Sequence, residues 1–115
     1  MKKIALNEAQ KFERDACLTH EYPFYALNID ACYARVTGRN PVSGFEYNEE
    51  STEVVFIIAG SGEISTGGGT ISFTKGDVIM IGPMEKYFWT EACNCEMFIS
   101  CNPPWSADKH KYVDK

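Results

Sequence analysis

The feature that most constrains this chain is its turn rhythm. From residue 30 to residue 105, short runs of β-branched and aromatic residues alternate with Gly, Asn, Asp and Pro clusters every 8–12 residues. Cys32-Ala34-Val36 alternate with Tyr33-Arg35 at period two, the signature of a half-buried strand. Phe45 to Asn48, Glu53 to Ala59, Glu63 to Thr66, Thr70 to Thr74, Val78 to Ile81, Lys86 to Glu91 and Cys95 to Cys101 read as further strands. The breaks between them are Gly38 to Gly44, Glu49 to Ser51, Gly60 to Gly62, Gly67 to Gly69, Lys75 to Asp77, Gly82-Pro83 and Ala92 to Asn94. Such a series specifies an antiparallel sandwich or barrel. Asn7 to Cys17 carries only a thin apolar stripe and reads as a short helix.

With 115 residues there is room for one domain. The reading divides it into an N-terminal segment at 1–29 that packs on a barrel at 30–105, followed by a tail at 106–115. Apolar residues make up 44% and charged residues 23%, so the chain has the means to bury a core. A net charge of −5 and the absence of any basic run argue against a nucleic-acid partner. The apolar stretch after Lys2-Lys3 stops at Asn7, too short for an export signal. The longest apolar run, Val54 to Ala59, is too short to span a membrane. Cys17, Cys32, Cys93, Cys95 and Cys101 form an odd, irregular set that reads as free thiols, and with them a cytoplasmic setting. Only Cys93 and Cys95 are close enough to suggest a zinc ligand pair, and a structural zinc site needs two such pairs. His20 and His110 have no partner at a metal-motif spacing and read as surface or loop residues.

Two stretches resemble the cupin motifs. Glu53 is followed by six residues and Gly60, and Gly60-Ser61-Gly62-Glu63 looks like the turn after the first motif. Gly76-Asp77, Val78 to Ile81 and Pro83 resemble the opening of the second. The resemblance covers residues 30 to 105 and implies an all-β, cupin-type antiparallel jelly-roll barrel with, at most, short terminal helices. It also places the motif ligands. The two first-motif histidines fall on Glu46 and Asn48, and the second-motif histidine on Tyr87. Met84, Gly82, Glu91 and Asn40 depart from the pattern as well. Of the usual three-histidine, one-glutamate set, Glu53 alone survives. No cofactor is expected on these residue types, because imidazole is what holds transition metals in such barrels. A divalent ion on Glu46, Asn48, Glu53 and Tyr87 is the alternative.

The candidate site is therefore Glu46, Asn48, Glu53, Tyr87 and Trp89 as ligand-binding residues, with Glu53 and Tyr87 as a catalytic acid–base pair. Glu46 and Asn48 share one face of their strand and Phe45 and Tyr47 the other, so pattern alone would turn the aromatics inward and the resemblance turns the polar pair inward. Glu53 heads an apolar strand, where a buried carboxylate needs a partner. Tyr87 and Trp89 alternate on one face, a spacing that more often marks a core than a ligand platform, although Tyr87 falls at a motif ligand position. Three function classes stay open. The first is binding of a small polar molecule, a sugar or an organic acid, in the barrel. The second is an enzyme, either an isomerase or epimerase using Glu53 and Tyr87 or a lyase or oxygenase with an atypical metal set. The third is a structural dimer. Val54, Phe56 and Ile58 alternate with Val55 and Ile57, so this strand is apolar on both faces, and a homodimer is expected to cover the outer one.

Overall fold

In the computed structural model, β-branched runs become nine strands among the described residues, and two of them are long enough to organise the rest. The structure describes residues 1–22, 24 and 28–114, leaving out the side chain of Glu91. The strands are β1 (Gln10–Arg14), β2 (Cys17–Tyr22), β3 (Ala31–Asn40), β4 (Phe45–Asn48), β5 (Thr52–Thr66), β6 (Gly69–Thr74), β7 (Val78–Ile81), β8 (Tyr87–Asn102) and β9 (His110–Val113). β5 and β8 pair antiparallel along their whole length, from Thr52 opposite Asn102 to Thr66 opposite Tyr87. Halfway along, register shifts fall between Ile57 and Glu63. There the ladder bends from one wall of the barrel to the other.

Gly60 makes that bend. Its φ is +83°, and a Cβ there would lie 2.6 Å from the Cys93 carbonyl oxygen and 2.7 Å from that of Asn94. A side chain is excluded on both counts. The expected breaks at Gly60 to Gly62 and at Ala92 to Asn94 are thus opposed bulges within two continuous strands, a common device for re-aiming a strand at a barrel rim. On one side of the bend β7, the first half of β5, the last half of β8, β3, β2 and β1 lie in order. On the other side β6, the rest of β5, the start of β8, β4 and β9 form the second wall.

Alternation within β5 assigns its faces. Val55 and Ile57 are buried at 1% and 0% exposure, while Val54, Phe56 and Ile58 remain exposed. The inward residues join Ala34, Val36, Ile64, Phe73, Ile81, Trp89, Cys95 and Met97 in one core. Outside, Val54 pairs with Met80, and Phe56 with Val78 and Phe98, so the exposed residues form one apolar face.

Two expectations are corrected at the ends of the chain. The helix expected over Asn7 to Cys17 is a single 3-10 turn, Leu6–Glu8, followed by the β1–β2 hairpin. The hairpin prevails because β2 finds β3 as a partner over six residues, from Cys17–Val36 to Tyr22–Ala31, and a thin apolar stripe offers a helix nothing comparable. The part of the N-terminal segment at 23 and 25–27 lies outside the described residues. The expected tail contains β9, which pairs with all of β4. Among the described residues no helix is long and apolar enough to cross a membrane.

Candidate functional site

β4 has two neighbours, and they decide what its inward side chains meet. Glu46 lies opposite Tyr87 of β8 and Tyr112 of β9, and Asn48 lies opposite His110. Glu46 and Asn48 are buried, at 7% and 2% exposure, while Phe45 and Tyr47 turn outward. Phe45 packs edge-on against Phe88 at 5.1 Å, so the aromatics find cover on the other face of the sheet.

Inside the barrel the polar groups form one chain. The Tyr87 hydroxyl lies 3.1 Å from Glu46 Oε1 and 3.0 Å from Glu53 Oε2. His110 Nε2 lies 2.8 Å from the same Glu46 oxygen. Cys101 Sγ lies 3.7 Å from Glu53 Oε1. When Glu46 is ionised, His110 Nε2 must be the donor, since a carboxylate has no proton to give. The phenol carries one proton for two carboxylates. It can donate to one of them, and the other is satisfied only by holding a proton of its own and donating to the phenol oxygen.

Glu53 is the group suited to hold that proton. Burial pushes its carboxyl above the usual range, and the Glu46 charge adds to this. The His110 charge and the hydrogen bonds from Tyr87 and Cys101 work in the opposite direction and do not cancel it. Burial raises the Tyr87 phenol well above its ordinary value, and the two carboxylates raise it further, so it stays a neutral donor. Burial likewise raises the Cys17 thiol to about 11 and raises Cys32 and Cys101 further. These thiols are neutral lining groups and not nucleophiles.

The chain borders a cavity of about 380 Å³, within the range of small-molecule sites. Val36, Val55, Met97 and Ile99 supply apolar wall, and Cys17, Cys32 and Cys101 add to it. Phe12 and Arg14 of β1, with Tyr112 and Trp105, complete the rim. Trp89 belongs to the core and also borders the cavity. It is 4% exposed and edge-on to Phe73 and Tyr87.

Of the five expected site residues, Glu46, Glu53, Tyr87 and Trp89 converge. Asn48 does not. Its Oδ1 accepts the backbone N–H groups of Glu50 at 3.0 Å and Ser51 at 2.7 Å, which closes the turn between β4 and β5. It is absent from the cavity lining, so its inward direction serves the backbone.

His110 corrects the reading in the other direction. It is no surface residue: its side chain is 5% exposed and packs between the Trp105 and Tyr112 rings. Its partner Glu46 is 64 residues away, a distance no local motif spacing registers. The available signal was the alternation of His110 and Tyr112 with Lys111 and Val113, the period of a strand. His20, by contrast, lies outside the cavity, tilted against Tyr33 at 5.6 Å. Cys93 is exposed and Cys95 buried, which places the two on opposite faces.

The donor chemistry does not fit a resident metal ion. Tyr87 is a neutral phenol, Asn48 serves a turn, and the carboxylates are engaged with protein donors. Among the described residues no three His, Cys, Asp or Glu side chains are grouped to hold an ion.

No protein-family model matches the sequence and no curated protein does. Solved structures do match. The Streptomyces protein PAC13, in a variant with uridine bound, superposes with a TM-score of 0.87 at 14% identity, covering 98% of this chain and 91% of that one. A further structure of Pac13 describes it as a nucleoside dehydratase. Ectoine synthase from P. lautus matches with a TM-score of 0.77 at 18% identity, covering 98% and 90%. Oxalate decarboxylase from Bacillus subtilis matches with a TM-score of 0.78 at 12% identity, and the match spans 96% of this chain but 32% of that one. At these identities the likeness establishes the fold. This is a cupin-type, all-β jelly-roll barrel.

Proposed function

We propose that the barrel takes up a small hydroxylated molecule of sugar or nucleoside size and acts on it by proton transfer, eliminating water or isomerising it. The observation that carries this reading is the single phenol shared by two buried carboxylates, 3.0 and 3.1 Å away, at the wall of a cavity. One carboxylate takes the proton from a carbon beside a carbonyl. The electron pair left behind forms the new double bond as the C–O bond breaks, and the departing hydroxyl receives a proton from the other carboxyl group and leaves as water. Tyr87 connects the two, so a proton gained at one end can be returned at the other. Glu53, raised by burial, is the natural acid. Glu46, held by His110, is the natural base. The likeness to Pac13 over nearly the whole chain supports a nucleoside or related sugar as the first ligand to try.

The test is proton exchange. The protein is incubated in D2O with uridine and with simple aldose and ketose sugars, and carbon-bound protons are followed by NMR. Deuterium should enter a position beside a carbonyl in one of these, and Tyr87→Phe should abolish the exchange. A ligand that binds and exchanges no proton would sink the enzyme reading in favour of a binding module. That second reading has its own support, since apolar and thiol groups supply much of the lining. The expected homodimer belongs to the same proposal. Its support is the exposed face of Val54, Phe56, Val78, Met80 and Phe98, which a second copy would cover.

A further inference from the structure

The charges that line the cavity are unequal, and their placement bears on what can enter. Four carboxylates border it: Glu46 and Glu53 in the hydrogen-bonded chain, and Glu21 of β2 and Asp30, which lies just before β3. Asp30 is committed to the backbone. One of its oxygens accepts the Cys101 N–H at 2.7 Å and the other the Trp105 N–H at 2.9 Å. Glu21 is half-buried and feels Asp30 as a repulsive neighbour. Among the described residues it has no hydrogen-bond or ion-pair partner.

Against these four, the cationic groups in the lining are Arg14 and His110. His110 is spent on Glu46. Arg14 stands at the rim with a side chain 70% exposed, its guanidinium over the Tyr112 ring at 4.9 Å and its Nε 3.9 Å from Asp15. With Glu53 suited to hold a proton, Glu46 paired with His110 and Asp30 bound by two N–H groups, an anionic group that entered the cavity would meet the uncompensated Glu21 carboxylate in a poorly solvated space, where charges are felt strongly. A second observation points to a hydrogen-bonding ligand. His110 Nδ1 is buried without a partner among the described residues, on a side chain that lines the same cavity.

We propose that the cavity selects by charge: it takes the uncharged or amine-bearing form of a sugar or nucleoside and rejects the phosphate ester, with Glu21 as the main discriminating side chain. This rests on the small-molecule reading above and adds the substrate class to it. A binding site can discriminate by repelling the wrong ligand as well as by attracting the right one.

Isothermal titration at low salt tests it with matched probes: uridine, uridine 5′-monophosphate, glucose and glucose 6-phosphate, with glucosamine as the amine-bearing probe beside glucose. An uncharged or amine-bearing probe should bind roughly tenfold or more tightly than its phosphorylated counterpart. Glu21→Lys should narrow that ratio, and Glu21→Gln should narrow it less. Melting temperatures of both variants show that they fold, and the isosteric Glu21→Gln keeps the comparison available if Glu21→Lys does not. Equal or tighter binding of the phosphate overturns charge selection and leaves the proton-transfer reading standing. A preference unchanged in the folded variants overturns the part given to Glu21. Binding of none of the five overturns the small-molecule reading and this inference with it.

Discussion

Removing the Tyr87 hydroxyl is the sharpest perturbation the site offers, because Tyr87→Phe leaves the ring in place. The edge-on contact with Trp89, 6.1 Å between centroids, survives. What is lost is a buried donor between Glu46 and Glu53. A hydrogen bond to a charged acceptor contributes about 1.5–3 kcal/mol. With Tyr87 3% exposed, solvent has little access to replace it. At ~2.1 cal/mol/K per residue, the unfolding entropy of 115 residues is about 0.24 kcal/mol/K, so Tm should fall by about 6–12 °C. The loss should also depend on pH. Two ionised carboxylates resist being left close together without the phenol, and protonation of Glu53 as pH falls relieves that repulsion. Differential scanning calorimetry at about pH 8 and about pH 4 measures both effects. A fall of less than about 2 °C, or one equal at the two pH values, would refute the claim that this hydroxyl holds the carboxylates together.

Three other outcomes follow from the same geometry. Because burial raises Glu53 in the folded state, the folded protein binds this proton more tightly than the unfolded chain does. Its stability contribution is therefore complete below the ordinary value of 4.5 and is lost as pH rises through the folded value. Glu53→Gln should flatten the decline of Tm as pH rises above the ordinary value of 4.5, and an unchanged slope counts against a raised Glu53. Gly60→Ala combines a φ of +83° with a 2.6 Å approach to the Cys93 carbonyl, so its urea midpoint should fall by the equivalent of about 1–3 kcal/mol or more at constant m. Phe56→Glu, on the exposed apolar face, should shift a dimer to a monomer in sedimentation equilibrium while melting stays cooperative; a wild type that sediments as a monomer would remove the dimer from the proposal.

Much of the barrel is legible in one dimension. β4 spans Phe45–Asn48 and β7 spans Val78–Ile81, as the alternation and the flanking turns indicate. Local pattern is sufficient there because a strand's period and its bounding turns are properties of adjacent residues. The misread places share a different origin. Gly60 and Asn94 look like strand ends in sequence, yet they are mid-strand bulges, and only the pairing of β5 with β8 distinguishes the two. The first residues favour a helix weakly, and β2 prevails by finding β3.

The site divides along the same line. The residue types at 46, 53 and 87, two carboxylates and a phenol, are read directly from the sequence. Tertiary structure decided which of them act together. It turned Glu46 inward when hydrophobic pattern alone favoured Phe45 and Tyr47, because Phe88 offered Phe45 a partner outside. It diverted Asn48 to a turn, and through β9 it brought His110 to Glu46 across 64 residues. A hydrogen bond acts over about 3 Å in space, whereas sequence spacing records only distance along the chain. The proton-bearing chain at the cavity wall therefore exists only once β4 has both of its neighbours.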